Sequence, residues 1–365
     1  MSLQPQTIAD VQDIVRAGGH LLPRGGGSKP GLSTPTRGTT SIELRNLAGI
    51  LEYEPGEYTF TAYAGTPVAE VATELARNGQ YMPFDPLLAG HGATLGGTVA
   101  ANTAGSGRYR YGGVRDFILG VRFVDGQGQL VRSGGKVVKN AAGFDLSKFM
   151  VGSLGRYGIM VEMSFKVFPR PAVYHTLMLR YGSLADALQA TFRLSAAPFE
   201  PDAVDLEPQP DKSCQFLLRV GGLESTLPDR IDRLRTFFND QSAAIDQAHI
   251  LKGDEETALW IGINEFEWTP SQTDAVVKVP LSPRQVVDLD RAVPDSIRRY
   301  TCAGHVAWLA VSKVELLADT LTRLNLTGLR LTGEPGDVIL GSRLGLSMAQ
   351  RVKQALDPAA VFGEA

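Results

Sequence analysis

The fold is decided by residues 90–168, which read GHGATLGGTVAANTAGSGRYRYGGVRDFILGVRFVDGQGQLVRSGGKVVKNAAGFDLSKFMVGSLGRYGIMVEMSFKVF. Gly96-Gly97-Thr98 opens a short predicted helix, and bare N–H groups at a helix start favour negative charge. Arg108–Tyr111 mixes cations with aromatic rings, which suits the wall of a site for a flat, anionic ligand. Asp125-Gly126 is typical of a β-hairpin turn, and alternating apolar residues over Ile159–Val167 predict a half-buried strand. The stretch therefore predicts a nucleotide cofactor site.

A second glycine-rich segment follows the short predicted strand His20–Leu22 and reads Pro23-Arg24-Gly25-Gly26-Gly27-Ser28. Three consecutive glycines let neighbouring N–H groups turn to one side, where they can hold a phosphate. An isolated run of this kind can equally be a flexible surface loop. The preceding strand and the flanking cations Arg24 and Lys29 favour the phosphate site.

Composition limits the classes of protein that fit. At 365 residues the chain is long enough for two domains, and 43% apolar with 21% charged residues is ordinary for a globular protein. The net charge of −3 gives no basic footprint for nucleic acid. We find no apolar run near the ~20 residues of a membrane helix and no signal-peptide core. We expect a cytoplasmic protein, associated with a membrane only through partner subunits.

Cysteine and histidine usage gives no sign of a metal. Cys214 and Cys302 are two cysteines far apart in sequence, which is no basis for a disulfide framework, a cysteine zinc site or an iron–sulfur cluster. The five histidines are scattered, so the sequence predicts no metal site.

Hydrophobic periodicity divides the chain at Pro169 and Pro171. Before these prolines, residues 7–17 read as a helix, Thr66 is expected to cap a second helix, and Asp145 a third that runs through Ser153. After them, strands and amphipathic helices alternate with mixed spacing, which predicts an α+β second domain, and the chain closes with a helix over Leu346–Leu356. The predicted domains are residues 1–171, 172–340 and a C-terminal segment, 341–365.

The familiar nucleotide motifs fail when their residues are checked. A Rossmann site needs Gly-x-Gly-x-x-Gly, but Gly105-Ser106-Gly107 has Arg110 in the third position. A P-loop needs Gly-Lys-Ser/Thr, but Gly135-Lys136 is followed by Val137. A dinucleotide bound here would therefore lie outside a Rossmann fold.

Several ordered motifs resemble the FAD-binding domain of the vanillyl-alcohol oxidase superfamily, also called PCMH-type. They are Pro23–Gly27, Ala93–Ala100, Val114–Gly120, Lys139–Gly143, Gly143–Lys148, Val151–Ile159 and Lys166–Pro171. The wording is most similar to the flavin-binding subunits of bacterial glycolate oxidases. The likeness is dense over residues 5–171, and Asp357–Phe362 resembles the C-terminal segment that returns to the flavin domain in this family. The resemblance implies an α+β fold with a PCMH-type FAD domain of two subdomains and a smaller α+β cap.

The resemblance also implies positions that contact FAD. Arg24–Ser28 would hold the diphosphate, Gly96–Thr98 would follow the phosphates and ribityl chain, and Gly107–Tyr111 would line the flavin. The predicted cofactor-binding residues are Arg24, Gly25, Gly26, Gly27, Ser28, Pro83, Thr94, Gly96, Gly97, Thr98, Gly107, Arg108, Tyr109, Tyr111, Gly158 and Ile159. Members with covalent flavin often carry a histidine in the first glycine loop, which is absent here. We therefore predict non-covalent FAD.

Catalytic residues are harder to assign. Oxidation of a 2-hydroxy acid by flavin needs a base for the hydroxyl proton and a cation for the carboxylate. His305 is a candidate base, and Lys278, Arg298 or Arg343 a candidate carboxylate clamp. The alternatives are a partly buried structural histidine, an outward-pointing lysine on a strand, and a solvated helix face carrying Arg298 and Arg299.

Three hypotheses about function follow. The first is an FAD-binding subunit of a multi-subunit glycolate oxidase, which acts beside a larger FAD-binding subunit and an iron–sulfur subunit. The second is a self-sufficient FAD-linked 2-hydroxy-acid dehydrogenase. The third is a flavin-domain scaffold without turnover. Relatives that oxidise 2-hydroxy acids carry a His-x-Gly-x-Gly pattern that this chain lacks, which favours activity only within a complex.

Overall fold

A computed structural model describes residues 2–33, 38–135, 145–239, 246–334, 336–343 and 345–363. Part of the resemblance, residues 139–144, lies outside the described residues. The described strands are β1 Ser2–Leu3, β2 His20–Arg24, β3 Thr39–Glu43, β4 Ile50–Glu54, β5 Thr59–Tyr63, β6 Gln80–Tyr81, β7 Ile118–Val124, β8 Leu130–Gly134, β9 Ile159–Lys166, β10 Phe168–Pro169, β11 Val173–Tyr181, β12 Ala203–Pro208, β13 Cys214–Gly222, β14 Asp246–Lys252, β15 Ala275–Pro280, β16 Ile297–Thr301, β17 Val306–Val311, β18 Thr327–Arg330 and β19 Ile339–Gly341.

The described α-helices are α1 Ile8–Arg16, α2 Val68–Ala76, α3 Leu95–Ala101, α4 Arg108–Tyr111, α5 Val114–Phe117, α6 Leu146–Phe149, α7 Leu184–Ser195, α8 Leu227–Asn239, α9 Gly253–Asn264, α10 Val286–Ala292, α11 Val314–Arg323 and α12 Leu346–Leu356. Among the residues with assigned positions, no helix has the length and apolar character needed to cross a membrane.

The chain forms two compact units. The first contains Met1–Ala104, Gly112–Arg170 and Arg343–Ala365, and the second contains Gly105–Tyr111 and Pro171–Ser342. The predicted boundaries placed 105–111 in the first domain, whereas the contacts of this segment place it in the second unit.

The first unit is built on small sheets. Strands β1, β3 and β2 form a parallel sheet in that order, and β4-β5-β9-β7-β8 form an antiparallel one. The predicted hairpin is confirmed, since β7 and β8 pair and Asp125 accepts hydrogen bonds from the N–H groups of Gln127 and Gln129. The predicted alternation in β9 is confirmed as well, because Ile159, Val161, Met163 and Phe165 are all buried.

Helix α1 shows why the N-terminal segment folds as predicted. Thr7 accepts from the N–H of Asp10, whose carboxylate accepts in turn from the N–H of Thr7, so the first turn is capped in both directions. Its apolar side packs Val11 and Val15 into a core shared with Leu21, Ile42 and Phe362.

The C-terminal segment packs into the same unit. The Leu21 N–H donates to Val361 O at 2.8 Å, and Leu21 pairs with Phe362 in parallel. Lys353 Nζ donates to Arg156 O at 2.7 Å and to Asp357 Oδ2 at 2.5 Å. The buried Asp357 carboxylate also accepts hydrogen bonds from the N–H groups of Val361 and Phe362, so its pair with Lys353 fixes the turn after α12.

The second unit is a nine-stranded antiparallel sheet in the order β14-β11-β13-β12-β16-β17-β15-β18-β19. Helices α7, α8, α10 and α11 contribute apolar side chains to a core with one face of this sheet, exemplified by Leu188, Ile231, Leu289 and Leu317. The predicted α+β character of this part of the chain is confirmed.

Some local predictions are wrong. The N-cap of α2 is Pro67, and the Thr66 hydroxyl instead donates to Tyr63 O at 2.7 Å. Helix α6 ends at Phe149, short of the predicted Ser153. Arg298 and Arg299 lie on strand β16, so the alternative of a solvated helix face is wrong.

Candidate cofactor site

A groove in the first unit runs along the main chain of both glycine-rich segments. Its volume is about 800 Å³ when the space open to solvent is included. The groove is lined by Leu22, Pro23, Arg24, Gly25, Gly26, Gly27, Ser28, Lys29, Leu32, Ser33, Leu44, Ala64, Thr94, Gly96, Gly97, Ala100, Ala101, Leu154, Gly155, Gly158 and Met160.

Gly25 and Gly26 are required by close backbone packing. A Cβ on Gly26 would lie 1.6 Å from Gly92 O, and one on Gly25 would lie 2.2 Å from Thr94 Oγ1. Neither position has room for a side chain, so the loop rests directly on residues 92–94. Gly27 is different, because its φ of +77° is a left-handed conformation that favours glycine.

The loop presents unused donors. Among the described residues, the N–H groups of Gly26, Gly27 and Ser28 have no acceptor in the chain. Arg45 holds the opposite side of the loop, since its Nη2 donates to Gly26 O at 2.6 Å and its Nε to Gly25 O at 3.5 Å. With their carbonyls held by Arg45, the loop residues can direct N–H groups to an anion. No sequence pattern indicates this role for Arg45, which follows Gly25 by 20 residues.

The N–H groups at the start of α3 already have acceptors within the chain. The Leu95 N–H donates to Thr66 O at 3.0 Å, and the Gly96 N–H to Ala64 O at 2.8 Å. The Gly97 N–H donates to Thr94 Oγ1 at 3.3 Å. The expectation of bare N–H groups at this helix start is therefore wrong. Gly96 and Gly97 still line the groove, and a Cβ on Gly96 would lie 2.9 Å from the Ala64 Cβ.

Lys29 adds a buried cation to the groove. Its residue is 7% exposed, and its ammonium donates to Ser28 Oγ at 3.1 Å. Burial lowers the pKa of Lys29 to about 8. Arg24 also lines the groove, and none of the described lining residues is acidic. The groove therefore combines free amides, two cations and apolar walls, which fits a ligand with a diphosphate and a flat ring.

The predicted cofactor residues divide into three groups. Those that line the groove are Arg24, Gly25, Gly26, Gly27, Ser28, Thr94, Gly96, Gly97 and Gly158. Pro83, Thr98 and Ile159 are buried in the first unit and are not part of the lining. The third group, Gly107, Arg108, Tyr109 and Tyr111, belongs to the second unit. Contact between these residues and FAD stays a prediction.

Side chains of the second unit hold the segment Gly105–Tyr111. Ser106 Oγ donates to the buried carboxylate of Asp205 at 2.6 Å. Arg110 pairs with Asp202 at 3.2 Å, and Tyr109 packs against the core of this unit. These contacts explain why the segment separates from its sequence neighbours.

Lys278 is the most distinctive of the catalytic candidates. It lies on β15 and is 5% exposed, so the alternative of an outward-pointing lysine is wrong. Burial, assisted by the charge of Arg108, lowers the pKa of Lys278 to about 8. Trp308 pairs with Lys278 on one side and with Arg299 on the other, so the three side chains form a row across neighbouring strands. Arg299 is 3% exposed; its Nη1 donates to Glu207 at 2.8 Å, while Nε and Nη2 have no described partner.

The other candidates lie elsewhere. His305 is exposed in the turn before β17, so the alternative of a partly buried strand histidine is wrong. Arg343 is exposed and belongs to the first unit. Arg298 is engaged by Asp290, with Nε 2.5 Å from Oδ1. Within the described ranges, no cluster of three histidine, cysteine or carboxylate side chains is arranged to hold a metal ion.

Comparison with known proteins assigns the cofactor. Residues 1–134 match a family described as FAD binding domain, which confirms FAD as the predicted cofactor. The chain is 42% identical over 180 residues to glycolate oxidase subunit GlcE of Escherichia coli (strain K12), which covers 49% of this chain and 51% of that protein. It is 31% identical over 191 residues to glycolate oxidase subunit GlcD of Bacillus subtilis (strain 168), which covers 52% and 40%. The chain thus spans about half the length of these relatives, or less.

The architecture is shared with a solved structure. p-Cresol methylhydroxylase with substrate bound matches at a TM-score of 0.72 and 13% identity, over 98% of this chain and 86% of that one. The predicted α+β fold of PCMH type is confirmed.

Proposed function

Since residues 1–134 are an FAD-binding domain, we propose that the chain is the FAD-binding subunit of a multi-subunit glycolate oxidase. It would take part in the oxidation of glycolate to glyoxylate, and the electrons would pass to an iron–sulfur subunit. The 42% identity to the Escherichia coli GlcE subunit carries this proposal. The given sequence has two cysteines, fewer than the four that usually hold an iron–sulfur cluster, so a partner subunit would carry the cluster in this proposal. The other expected partner is a larger FAD-binding subunit.

The residues of the groove have a defined task in this proposal. The open N–H groups of Gly26, Gly27 and Ser28 would bind the FAD diphosphate, and Arg45 keeps the loop in the form that presents them. Apolar walls, including Leu22 and Met160, would cover the remainder of the cofactor. Bound FAD supplies the acceptor for a hydride from the alcohol carbon.

A second candidate function is a self-sufficient FAD-linked 2-hydroxy-acid dehydrogenase. The observation that favours it is the row of Lys278, Trp308 and Arg299, in which two cations are almost fully buried. Buried cations of this kind can hold a substrate carboxylate, which is the group common to all 2-hydroxy acids. The exposed His305 stays a candidate base.

Anaerobic reduction of the flavin separates these functions. The chain is purified alone, loaded with FAD, and mixed with glycolate or D-lactate while flavin absorbance is recorded. Bleaching by either acid would establish the self-sufficient enzyme. The proposed subunit would not bleach alone, and turnover would need the partner subunits.

Reconstitution then distinguishes a flavin-bearing subunit from a scaffold without turnover. Partner subunits are combined with the wild-type chain or with Arg24→Ala, and assembly is followed by size-exclusion chromatography. Normal assembly with lost glycolate oxidation supports a working flavin in this chain. Full activity from a variant that has lost its FAD would contradict the proposal and support the scaffold.

A further inference from the structure

Lys29 is a buried cation without a counter-charge among the described residues. Its side chain lines the groove, it is 7% exposed, and its one hydrogen bond among the described residues goes to the neutral Ser28 hydroxyl. No described carboxylate lies within 4 Å of the ammonium, and burial is the sole cause of its altered pKa. A buried charge is costly unless it is paired, so such a position is expected to gain its partner from a ligand.

Position along the loop identifies the part of FAD concerned. The ammonium lies 3.1 Å from Ser28 Oγ, next to the free N–H groups of Gly26, Gly27 and Ser28. Oxidised FAD carries its negative charge on the diphosphate. We propose that Lys29 is a further cofactor-binding residue, whose protonated ammonium pairs with the diphosphate of FAD. The proposal rests on the FAD site alone and is independent of glycolate as the substrate.

The proposal has a consequence for pH. Lys29 without cofactor has a pKa of about 8, and pairing with the diphosphate raises that pKa. Because the protonated form binds more tightly, FAD affinity is constant below pH 8 and falls above it, by at most about tenfold per pH unit. The other charged groups at the loop are Arg24 and Arg45.

The test is a titration of the cofactor-free full chain with FAD between pH 7 and 9.5. Flavin fluorescence reports binding in the wild type, in Lys29→Met and in Lys29→Arg. We expect Lys29→Met to bind FAD about 10- to 100-fold more weakly at pH 7 and to lose the pH dependence. Lys29→Arg keeps the charge and is expected to retain most of the affinity without the fall above pH 8. ADP, which has the diphosphate without the flavin, is used as a competitor and should lose affinity by the same factor.

Several outcomes would overturn the proposal. Wild-type affinity that does not change from pH 7 to 9.5 would do so, whether or not the methionine variant folds. Equal losses of FAD affinity in Lys29→Met and Lys29→Arg would show that FAD binding depends on the shape of the lysine side chain and not on its charge. An ADP affinity unaffected by Lys29→Met would place the lysine at the flavin instead. Thermal melting of each cofactor-free variant controls for folding, and glycolate turnover is not needed for any readout.

Discussion

Gly25–Ser28 and Thr94–Gly97 lie on the same groove, but their main-chain amides have different partners. In the first segment the N–H groups of Gly26, Gly27 and Ser28 have no acceptor among the described residues. In the second, the N–H groups of Gly96 and Gly97 donate to Ala64 O and to Thr94 Oγ1. Both segments are rich in glycine, yet one leaves its donors available and the other uses them to hold the fold.

The difference shows that glycine has two separate uses here. At Gly26 and Gly96 the missing side chain allows close packing, against Gly92 O and against Ala64. Availability for a ligand depends on something else, the absence of a nearby carbonyl that accepts the N–H. Changes that alter how the first segment presents its free N–H groups should therefore lower cofactor affinity. Changes that remove an acceptor of the second segment's N–H groups, or that break the close packing of either segment, should lower mainly stability.

The largest effect is expected from Gly26→Ala. The new Cβ would lie 1.6 Å from Gly92 O, so the loop must leave residues 92–94, and we expect the free energy of unfolding to fall by more than about 3 kcal/mol. Gly27→Ala is the matched control: its nearest neighbour is the flexible Arg45 side chain, and the left-handed φ costs about 1–2 kcal/mol. Denaturant unfolding of the cofactor-free chain measures both. Equal stability of the two variants would contradict the close packing.

A smaller effect, on affinity, is expected from Arg45→Ala. Without donors to Gly26 O and Gly25 O the loop loses its fixed form, and FAD affinity should fall about tenfold. Arg77→Ala removes the same charge from an exposed helix position where Arg77 pairs with Glu74, and it should leave affinity unchanged. Calorimetric titration with FAD measures both variants. An equal loss of FAD affinity in Arg45→Ala and Arg77→Ala would mean that Arg45 acts only through net charge.

Thr94→Ala should lower the stability of the chain more than its affinity for FAD. It removes the acceptor of the Gly97 N–H, and loss of such a helix cap costs about 1 kcal/mol of stability. Thr94→Ser keeps the acceptor and is expected to be close to the wild type. FAD affinity of the folded chain should fall less than in Arg45→Ala. A larger loss of affinity would mean that the second segment binds the cofactor as directly as the first.

The smallest effect concerns the mass of the chain. The first loop has no histidine, so we predict that FAD is held without a covalent bond to it and that the denatured chain has the mass of its sequence alone. Mass spectrometry after denaturation in acid measures this, and the released flavin appears in the supernatant. A mass increased by one FAD would show a covalent attachment outside the loop.

Short-range features were predictable from the sequence. The β7–β8 hairpin has its turn residues between two apolar runs, and α12 matches the predicted Leu346–Leu356, because both depend on neighbouring residues. The predicted helix over residues 7–17 is likewise present as α1, whose start is capped by the nearby residues Thr7 and Asp10. The glycine loop at Gly25–Ser28 was also found, since its special backbone is visible in its composition.

Long-range contacts were not predictable, and they decide the details of the site. The amides of α3 are used by Ala64 and Thr66, and the loop carbonyls by Arg45; these partners are distant in sequence, so no local pattern announces them. Lys278 is a candidate carboxylate clamp from the sequence, but alternation along β15 could not show that both faces of this strand are covered.

The parallel pairing of Leu21 with Phe362 joins positions that are separated by the whole second unit. A ribosome therefore releases nearly all of the second unit before the first can be closed. At about 5–20 residues per second, synthesis from Leu21 to Phe362 takes on the order of 20 to 70 seconds. During that time Leu21 and Ile42 lack the apolar contacts that Val361 and Phe362 later provide. Of the two units described here, the one that carries the glycine loop is thus begun before the other and completed after it.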